Sequence, residues 1–483
     1  MAARTKVLLV AAEMAPLVKL GGLGDVVGAL PSALQPLGID ARVLLPAYSP
    51  AMAAGARLLA WLPDNGGRIL ECSGASHPVY LLDHPDFRGR GGRPYADAEG
   101  RPWRSDAAAF AALGRAAAVL AEGALVDWQP DVLHCHDWHA GLAPAWLRVA
   151  GLSTASVFTI HNLAFTGCFE RDVLARVGLP SWLDDPEALE FYGDIAFIKG
   201  GLVFADRLTT VSPKHAQEIL TAEGGFGQDG VLRARRARLT GILNGIDTQV
   251  WDPRSDPHLP CPFGPDDLAG KSAARAALVE RFGLEAGRDR HRPLLSWVAR
   301  LTHQKGTDLL LDTLPGLLED GHSMVLLGNG DVAAESALRE LAARWPARLA
   351  VCFGFDEALA HLIYAGADLL LMPSRYEPCG LSQLYAMRYG TLPVGPPVGG
   401  LADTIFDADD AAMAAGGGTG FLMRDTSAMA LKEAVERARA YFLQPPLWQR
   451  LMRDVMLRDW GWAGSAEAYA EQYRLALQDR RDA

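Results

Sequence analysis

Short apolar runs alternate with longer stretches of helical spacing along most of this chain. The first half carries KVLLVA (6–11), ARVLLPA (41–47), PVYLLD (78–83), DVLHCH (131–136), ASVFTIH (155–161) and RLTTVS (207–212). Ala- and Leu-rich segments such as 106–126 and 139–149 lie between them. A strand without a polar face must be covered on both sides, and strand–helix alternation puts helices on both faces of a parallel sheet. The pattern therefore predicts an α/β fold. It breaks at 253–265, PRSDPHLPCPFGP, where five prolines can neither continue a helix nor join a central strand. That segment reads as a linker. Beyond it the alternation resumes with PLLSWVA (293–299), SMVLLG (323–328), LAVCFG (349–354), DLLLMPS (368–374) and TLPVG (391–395). A last helical pattern spans 465–478, with Ala466, Tyr469, Tyr473 and Leu477 on one face.

At 483 residues the chain has room for two to four domains. Its formal charge of −11 and the absence of a long basic run argue against a nucleic-acid partner. No uncharged apolar stretch approaches the roughly 18 residues a membrane span needs. The opening MAARTKVLLVAAEMAP could mimic a signal peptide, but its apolar run is brief and a Gly-rich segment comes next, so it reads as a buried first strand. Cys72, Cys135, Cys168, Cys261, Cys352 and Cys379 are scattered without a C-x-x-C pair, as expected of reduced thiols in a cytoplasmic protein.

Ligands of open α/β sheets bind beyond the carboxyl ends of the strands. The first strand runs into Lys19-Leu-Gly-Gly-Leu-Gly-Asp25. Glycines let backbone N–H groups approach an anion, and Lys19 adds a charge, although neither a Walker loop nor G-x-G-x-x-G is present. A plain strand-to-helix turn is the alternative. DVLHCH leads to His134, His136, Asp137, Trp138 and His139, a density that invites either a metal site or a sugar site. ASVFTIH ends in His161-Asn162, and two strands ending in this chemistry point to a site. In the second half Arg300 and Lys305 suit a diphosphate. Gly328-Asn-Gly-Asp-Val-Ala333 fits G-x-G-x-x-A, but Asp356 stands 28 residues on rather than about 20. Arg375-Tyr-Glu377-Pro-Cys379-Gly-Leu-Ser382 offers a carboxylate and a helix start. The loop 84–105, with RGRGG and Tyr95, reads as a mobile active-site loop; 224–230 and 416–420 read as turns.

These motifs together resemble the bacterial glycogen synthases and plant starch synthases, retaining ADP-glucose glucosyltransferases of glycosyltransferase family 5. The resemblance rests on K-x-G-G-L at 19–23 with DVVGALP (25–31), HCHDWHAG (134–141), FTIHNLAFTG (158–167), GILNGID (241–247), ARLTHQKG (299–306) and YEPCGLSQLYAMRYGTLPV (376–394). It implies a GT-B fold, with two Rossmann-like domains whose parallel sheets face a deep inter-domain cleft. Residues 1–245 would form the acceptor-side domain, 246–268 the Pro-rich hinge, 269–457 the nucleotide-sugar domain, and 458–483 a helix returning to the first domain. The resemblance further implies that Lys19, Gly21, Gly22 and Asp25 contact the nucleotide-sugar. Asp137 and His161 would flank the transferred glucose, with Asn162 and Asn244 helping to bind it. Arg300 and Lys305, with Ser382, would hold the diphosphate and Ser374 would lie in the substrate and nucleotide site, while Glu377, Cys379, Gly380 and Leu381 cup the sugar. Trp138, His139 and Tyr95 would lie toward sugar or acceptor. Four positions depart from related patterns: Tyr385 stands where some retaining enzymes carry Glu, Phe355 where many carry Tyr stacking on adenine, Ser382 for Thr and Gly24 for Ala.

Taken over, these roles describe glucose transfer from ADP-glucose to an α-1,4-glucan (glycogen) acceptor without metal or cofactor, with a homo-oligomer as an open option. Two enzymes of other classes compete with this reading. Gly328–Ala333 suggests an NAD(P)-dependent oxidoreductase, and His134, His136 and His139 suggest a metallohydrolase. A non-catalytic carbohydrate-binding scaffold is the third alternative.

Overall fold

The computed structural model describes residues 4–63, 66–72, 77–97, 100–125, 127–285, 291–409, 411–412 and 417–482. Residues 98–99 of the 84–105 loop and residue 416 of the 416–420 turn fall outside them. The chain divides into two compact units, one of residues 1–245 and 462–483, the other of residues 246–461.

In the first unit the strands are β1 (Thr5–Val10), β2 (Ile39–Pro46), β3 (Arg57–Trp61), β4 (Arg68–Cys72), β5 (Val79–Asp83), β6 (Val132–His136), β7 (Ala155–Ile160), β8 (Cys168–Phe169), β9 (Glu190–Phe191), β10 (Asp194–Ala196), β11 (Arg207–Thr210) and β12 (Leu239–Gly241). The main sheet runs β12-β11-β7-β6-β1-β2-β5-β4-β3. It is parallel from β12 to β5, and β3 and β4 add an antiparallel edge. All six apolar runs of the first half are strands of this sheet. The edge pair β3–β4 escapes an apolar-run search because RLLAW and RILEC carry exposed and half-buried residues. Along β1, Leu8 and Val10 enter one core while Val7 and Leu9 enter another on the opposite face, as the two-residue period of a strand requires.

Helices cover both faces. Gly114 in the Ala-rich helix Asp106–Ala121 lies so close to the helix Leu142–Val149 that an added Cβ would meet Ala143 N at 3.0 Å. The C-terminal helix Ala463–Asp482 belongs to this first unit. Ala466, Tyr469, Tyr473 and Ala476 are buried there, and Arg480 pairs with Asp206 at 2.9 Å.

The second unit has β13 (Leu294–Val298), β14 (Ser323–Leu327), β15 (Leu349–Cys352), β16 (Leu369–Leu371), β17 (Leu392–Gly395) and β18 (Phe421–Leu422), all parallel, in the order β15-β14-β13-β16-β17-β18. That is the doubly wound order 3-2-1-4-5-6. Each sheet thus has a switch point where strand order reverses, between β1 and β6 in the first unit and between β13 and β16 in the second.

The expected hinge at 246–268 is corrected by the structure, which packs this segment into the second unit. Trp251 stacks on His361 and on Tyr385, both at 3.9 Å. Buried Asp256 accepts the Tyr389 hydroxyl at 2.5 Å and pairs with His361 at 2.6 Å. The prolines keep 253–265 irregular, but its aromatic and acidic side chains anchor it. The chain passes between units at Gly245–Ile246 and again at Gly461–Trp462. Among the described residues no helix is long and apolar enough to cross a membrane.

Candidate active site

The chemistry-bearing residues gather just beyond the two switch points. After β1 the chain turns through Lys19–Asp25 into the helix Gly22–Leu34, and Lys19 Nζ pairs with Asp25 at 2.8 Å. Gly21 caps this helix in an extended conformation, and a Cβ placed on it would meet nothing within 4 Å. The protein's own packing does not demand glycine there, whereas close approach of a ligand to the backbone would. The expected donation of this loop's N–H groups to an anion is corrected for two of them. Leu20 N–H and Gly21 N–H both donate to Glu13 Oε2, at 2.6 and 3.0 Å. Glu13 is buried, and its other oxygen accepts the Tyr95 hydroxyl. Sequence inspection missed Glu13, because a lone carboxylate after a strand carries no motif.

Past β6, Asp137 adopts a left-handed backbone conformation with φ 57°, rare outside glycine. That turn aims its carboxylate across to the end of β7, where Oδ1 accepts His161 N–H at 2.7 Å and Asn162 N–H at 3.2 Å. Burial raises the Asp137 pKa to about 7 despite those two bonds. Burial also lowers the His134, His139 and His161 pKa values to about 3, so these rings are neutral. His136 is lowered too, by burial and then by His134 and His161.

His134 bonds Tyr473 at 2.8 Å and Thr159 at 2.6 Å, which occupies both ring nitrogens. His136 Nδ1 and His161 Nε2 share a hydrogen bond of 2.9 Å. Among the described residues no group of three or more His, Cys, Asp or Glu is arranged to hold a metal ion. Trp138 packs among His139, Phe110 and Phe169, and a Cβ at Gly167 (φ 62°) would strike its ring at 2.2 Å. Tyr95 lies over His139 with centroids 4.8 Å apart. The buried polar atoms of this unit that lack a hydrogen-bond partner among the described residues include His136 Nε2, His139 Nδ1 and Asn244 Oδ1. Asn162 Oδ1 accepts Ala164 N–H at 3.1 Å.

In the second unit Arg300 and Lys305 come after β13 and Glu377 after β16. Lys305 Nζ donates to Glu377 Oε2 at 2.5 Å, and Ser374 Oγ donates to the same oxygen at 3.0 Å. Arg300 is exposed, and its charge acts on the neighbouring Tyr376. Gly380, at φ 71°, turns the chain after Cys379. Gln383 braces that turn by donating to the Cys379 and Gly380 carbonyls, each at 2.9 Å. Ser382 opens the helix Ser382–Arg388 next to half-buried Leu381. The loop rests on Gly399 and Gly400, where a Cβ would fall 2.0 Å from Glu377 O and Cys379 O respectively. Gly399 and Gly400 carry no motif that singles them out in the sequence. Phe355 is 74% exposed beyond β15, available for stacking.

The G-x-G-x-x-A match has a packing explanation. A Cβ on Gly328 would lie 1.9 Å from Ala299 O, and one on Gly330 would lie 2.3 Å from Leu301 O. These glycines let β14's exit pass against β13's, which leaves the oxidoreductase reading without a dinucleotide fingerprint.

Comparison with known proteins agrees with this arrangement. Residues 6–234 match the starch synthase catalytic domain family, and residues 292–440 match glycosyl transferases group 1. Glycogen synthase 1 of Methylococcus capsulatus is 47% identical over 98% of this chain and 97% of its own. The chain belongs to the glycogen and starch synthase family. Another member, the glycogen synthase of Roseobacter denitrificans, is 46% identical over 98% of this chain and 99% of its own. The catalytic domain of starch synthase IV from Arabidopsis thaliana, solved with ADP and acarbose, superposes with a TM-score of 0.88 at 33% identity. It covers 99% of this chain and 100% of that one. A sucrose-phosphate synthase from Thermosynechococcus elongatus, 18% identical with a TM-score of 0.60 and covering 98% of both chains, shares the fold. The fold is GT-B and the chain is a glycosyltransferase of the glycogen synthase type.

Proposed function

We propose that the chain transfers glucose from ADP-glucose to the non-reducing end of an α-1,4-glucan, with retention of configuration, in the bacterial cytoplasm. The observation that carries this reading is the grouping of buried Glu377 and Ser374 with half-buried Lys305 at the switch point of the second unit. A buried carboxylate held by a lysine and a hydroxyl suits sugar hydroxyls beside a phosphate. The ADP in the starch synthase IV structure supports the adenine nucleotide.

In the proposed reaction the bond between glucose C1 and the diphosphate oxygen breaks. A new bond forms from C1 to the acceptor oxygen on the same face. The acceptor's hydroxyl proton passes to the departing phosphate, so ADP itself is the base. Lys305 and Arg300 stabilise the charge that grows on that phosphate. Phe355 stacks on adenine. In the first unit the neutral rings of His161 and His139 add no positive charge beside a ring that is itself turning cationic. Asp137 holds the His161–Asn162 turn through two backbone N–H groups, and Asn244 offers an amide oxygen to the sugar. Neither a metal nor a cofactor has a role, because protein cations serve the phosphate.

The test is transfer of labelled glucose from ADP-glucose to glycogen in excess EDTA. Incorporation at chain ends supports the reading. Far better use of UDP-glucose would overturn the donor, and loss of activity in EDTA would overturn metal independence.

A further inference from the structure

Glu13 is a buried carboxylate, 3% exposed, that hydrogen-bonds to backbone N–H groups and a hydroxyl. Burying such a charge costs several kcal/mol unless fixed dipoles replace the water it gives up. The dipoles here come from two separate places. Oε2 takes the N–H groups of Leu20 and Gly21, the backbone on either side of the Lys19–Gly22 turn. Oε1 takes the hydroxyl of Tyr95, 82 residues along the chain. Tyr95 in turn lies over His139. The fit around Oε2 is close, since a Cβ on Gly24 would stand 3.3 Å from it, from Lys19 Cα and from Val18 O.

We propose that Glu13 is a positioning residue that couples the Lys19 loop to Tyr95, so that the group handling the nucleotide-sugar and the group lining the acceptor side are set by one carboxylate. This rests on the proposed glucosyl transfer and on the roles that the family resemblance implies for Lys19 and Tyr95. Its physical content is specific. The two N–H bonds fix the peptide planes at Leu20 and Gly21, and with them the direction in which Lys19 leaves the backbone. The Tyr95 bond fixes the ring that covers His139. Removing the Tyr95 hydroxyl leaves Oε1 buried and short of a partner, and the carboxylate relaxes away from the loop it holds.

Two variants test the coupling, Tyr95→Phe and Glu13→Gln. Glu13→Gln keeps one acceptor oxygen for the loop and presents an amide to Tyr95. Tyr95→Phe is expected to raise the KM for ADP-glucose about tenfold, although its phenyl ring still covers His139. Glu13→Gln is expected to raise the KM for both ADP-glucose and glycogen. The double variant should be no worse for ADP-glucose than Glu13→Gln alone, because the two changes break one linkage. A role confined to general stability would lower the active fraction, and hence apparent kcat, with both KM values unmoved.

Amide hydrogen exchange gives a second readout that needs no substrate. The peptide spanning 14–25 should exchange faster in Tyr95→Phe than in the parent, with the β1 and β6 peptides unchanged. Unaltered exchange at 14–25 in Tyr95→Phe, or effects of the two changes on donor KM that simply multiply, would overturn the coupling. An unmutated protein that fails to use ADP-glucose would instead overturn the proposed function, and the exchange experiment would still decide the role of Glu13.

Discussion

Asp137 in the first unit and Glu377 in the second occupy equivalent places. Each lies just past the strand that opens the second arm of its sheet, and each is buried, at 7% and 4% exposure. Their surroundings differ. Glu377 is met by a lysine and a hydroxyl, so its charge is balanced inside the protein. Asp137 is met by two backbone N–H groups, and burial lifts its pKa to about 7. One Rossmann-like plan thus yields a charged site on one unit and a nearly neutral one on the other. That division suits a reaction in which negative charge grows on phosphate and positive charge on a sugar.

The largest expected effect strikes the charged side. Lys305→Ala removes the cation proposed to stabilise the phosphate and strands Glu377, so kcat should fall on the order of 10²–10³. Stability should fall on the order of 3 kcal/mol. Adding Glu377→Gln should recover stability in a denaturant titration and leave activity lost. Unchanged stability in Lys305→Ala would mean the pair contributes nothing to the fold.

Glycines offer the next contrast. Gly399→Ala places a Cβ against Glu377 O from a backbone at φ 45°, and should cost about 1–3 kcal/mol of stability along with activity. Gly21→Ala meets open space, so its melting temperature should stay near the parent's while the KM for ADP-glucose rises. Equal destabilisation by both substitutions would erase the distinction between a packing glycine and a ligand-facing one.

Asp137→Asn tests the neutral side through pH. The folded pKa is raised to about 7, above an unfolded value near 4. Protonated Asp137 therefore favours the fold, and that stability is present below about pH 4 and lost as pH rises through about 7. The stability of Asp137→Asn relative to the parent should accordingly improve from pH 4 to 8. A flat difference across that range would show that Asp137 is ionised at no cost. The smallest effect is expected at Phe355→Ala, where loss of the proposed adenine stacking, worth about 1–3 kcal/mol, should raise donor KM and leave kcat and stability alone.

The strand ends that present the site were legible because parallel strands are apolar throughout, and their polar successors stand out against them. His161 and Asp137 directly follow a strand's carboxyl end, and Lys305 and Glu377 lie on the loops that leave β13 and β16, so each was visible from that contrast. Glu13 was not, since its partners Leu20, Gly21 and Tyr95 are recognisable only once β1, the Lys19 turn and the 84–105 loop are brought together. The prolines of 253–265 misled for a related reason. They report correctly that the backbone is irregular, but they are silent on Trp251, whose stacking between His361 and Tyr385 depends on side chains more than a hundred residues away.

Local periodicity and composition were enough to determine an α/β chain of two halves and to rank its strand ends by chemistry. They suffice because burial on both faces imposes a pattern that neighbouring residues must satisfy. Tertiary packing alone decided which groups share a proton or a charge: Tyr473 on His134, His136 on His161, Glu13 on the Lys19 loop, Lys305 on Glu377. A hydrogen bond or ion pair depends on distances of about 3 Å between atoms from remote segments, and no spacing along the chain encodes such a distance.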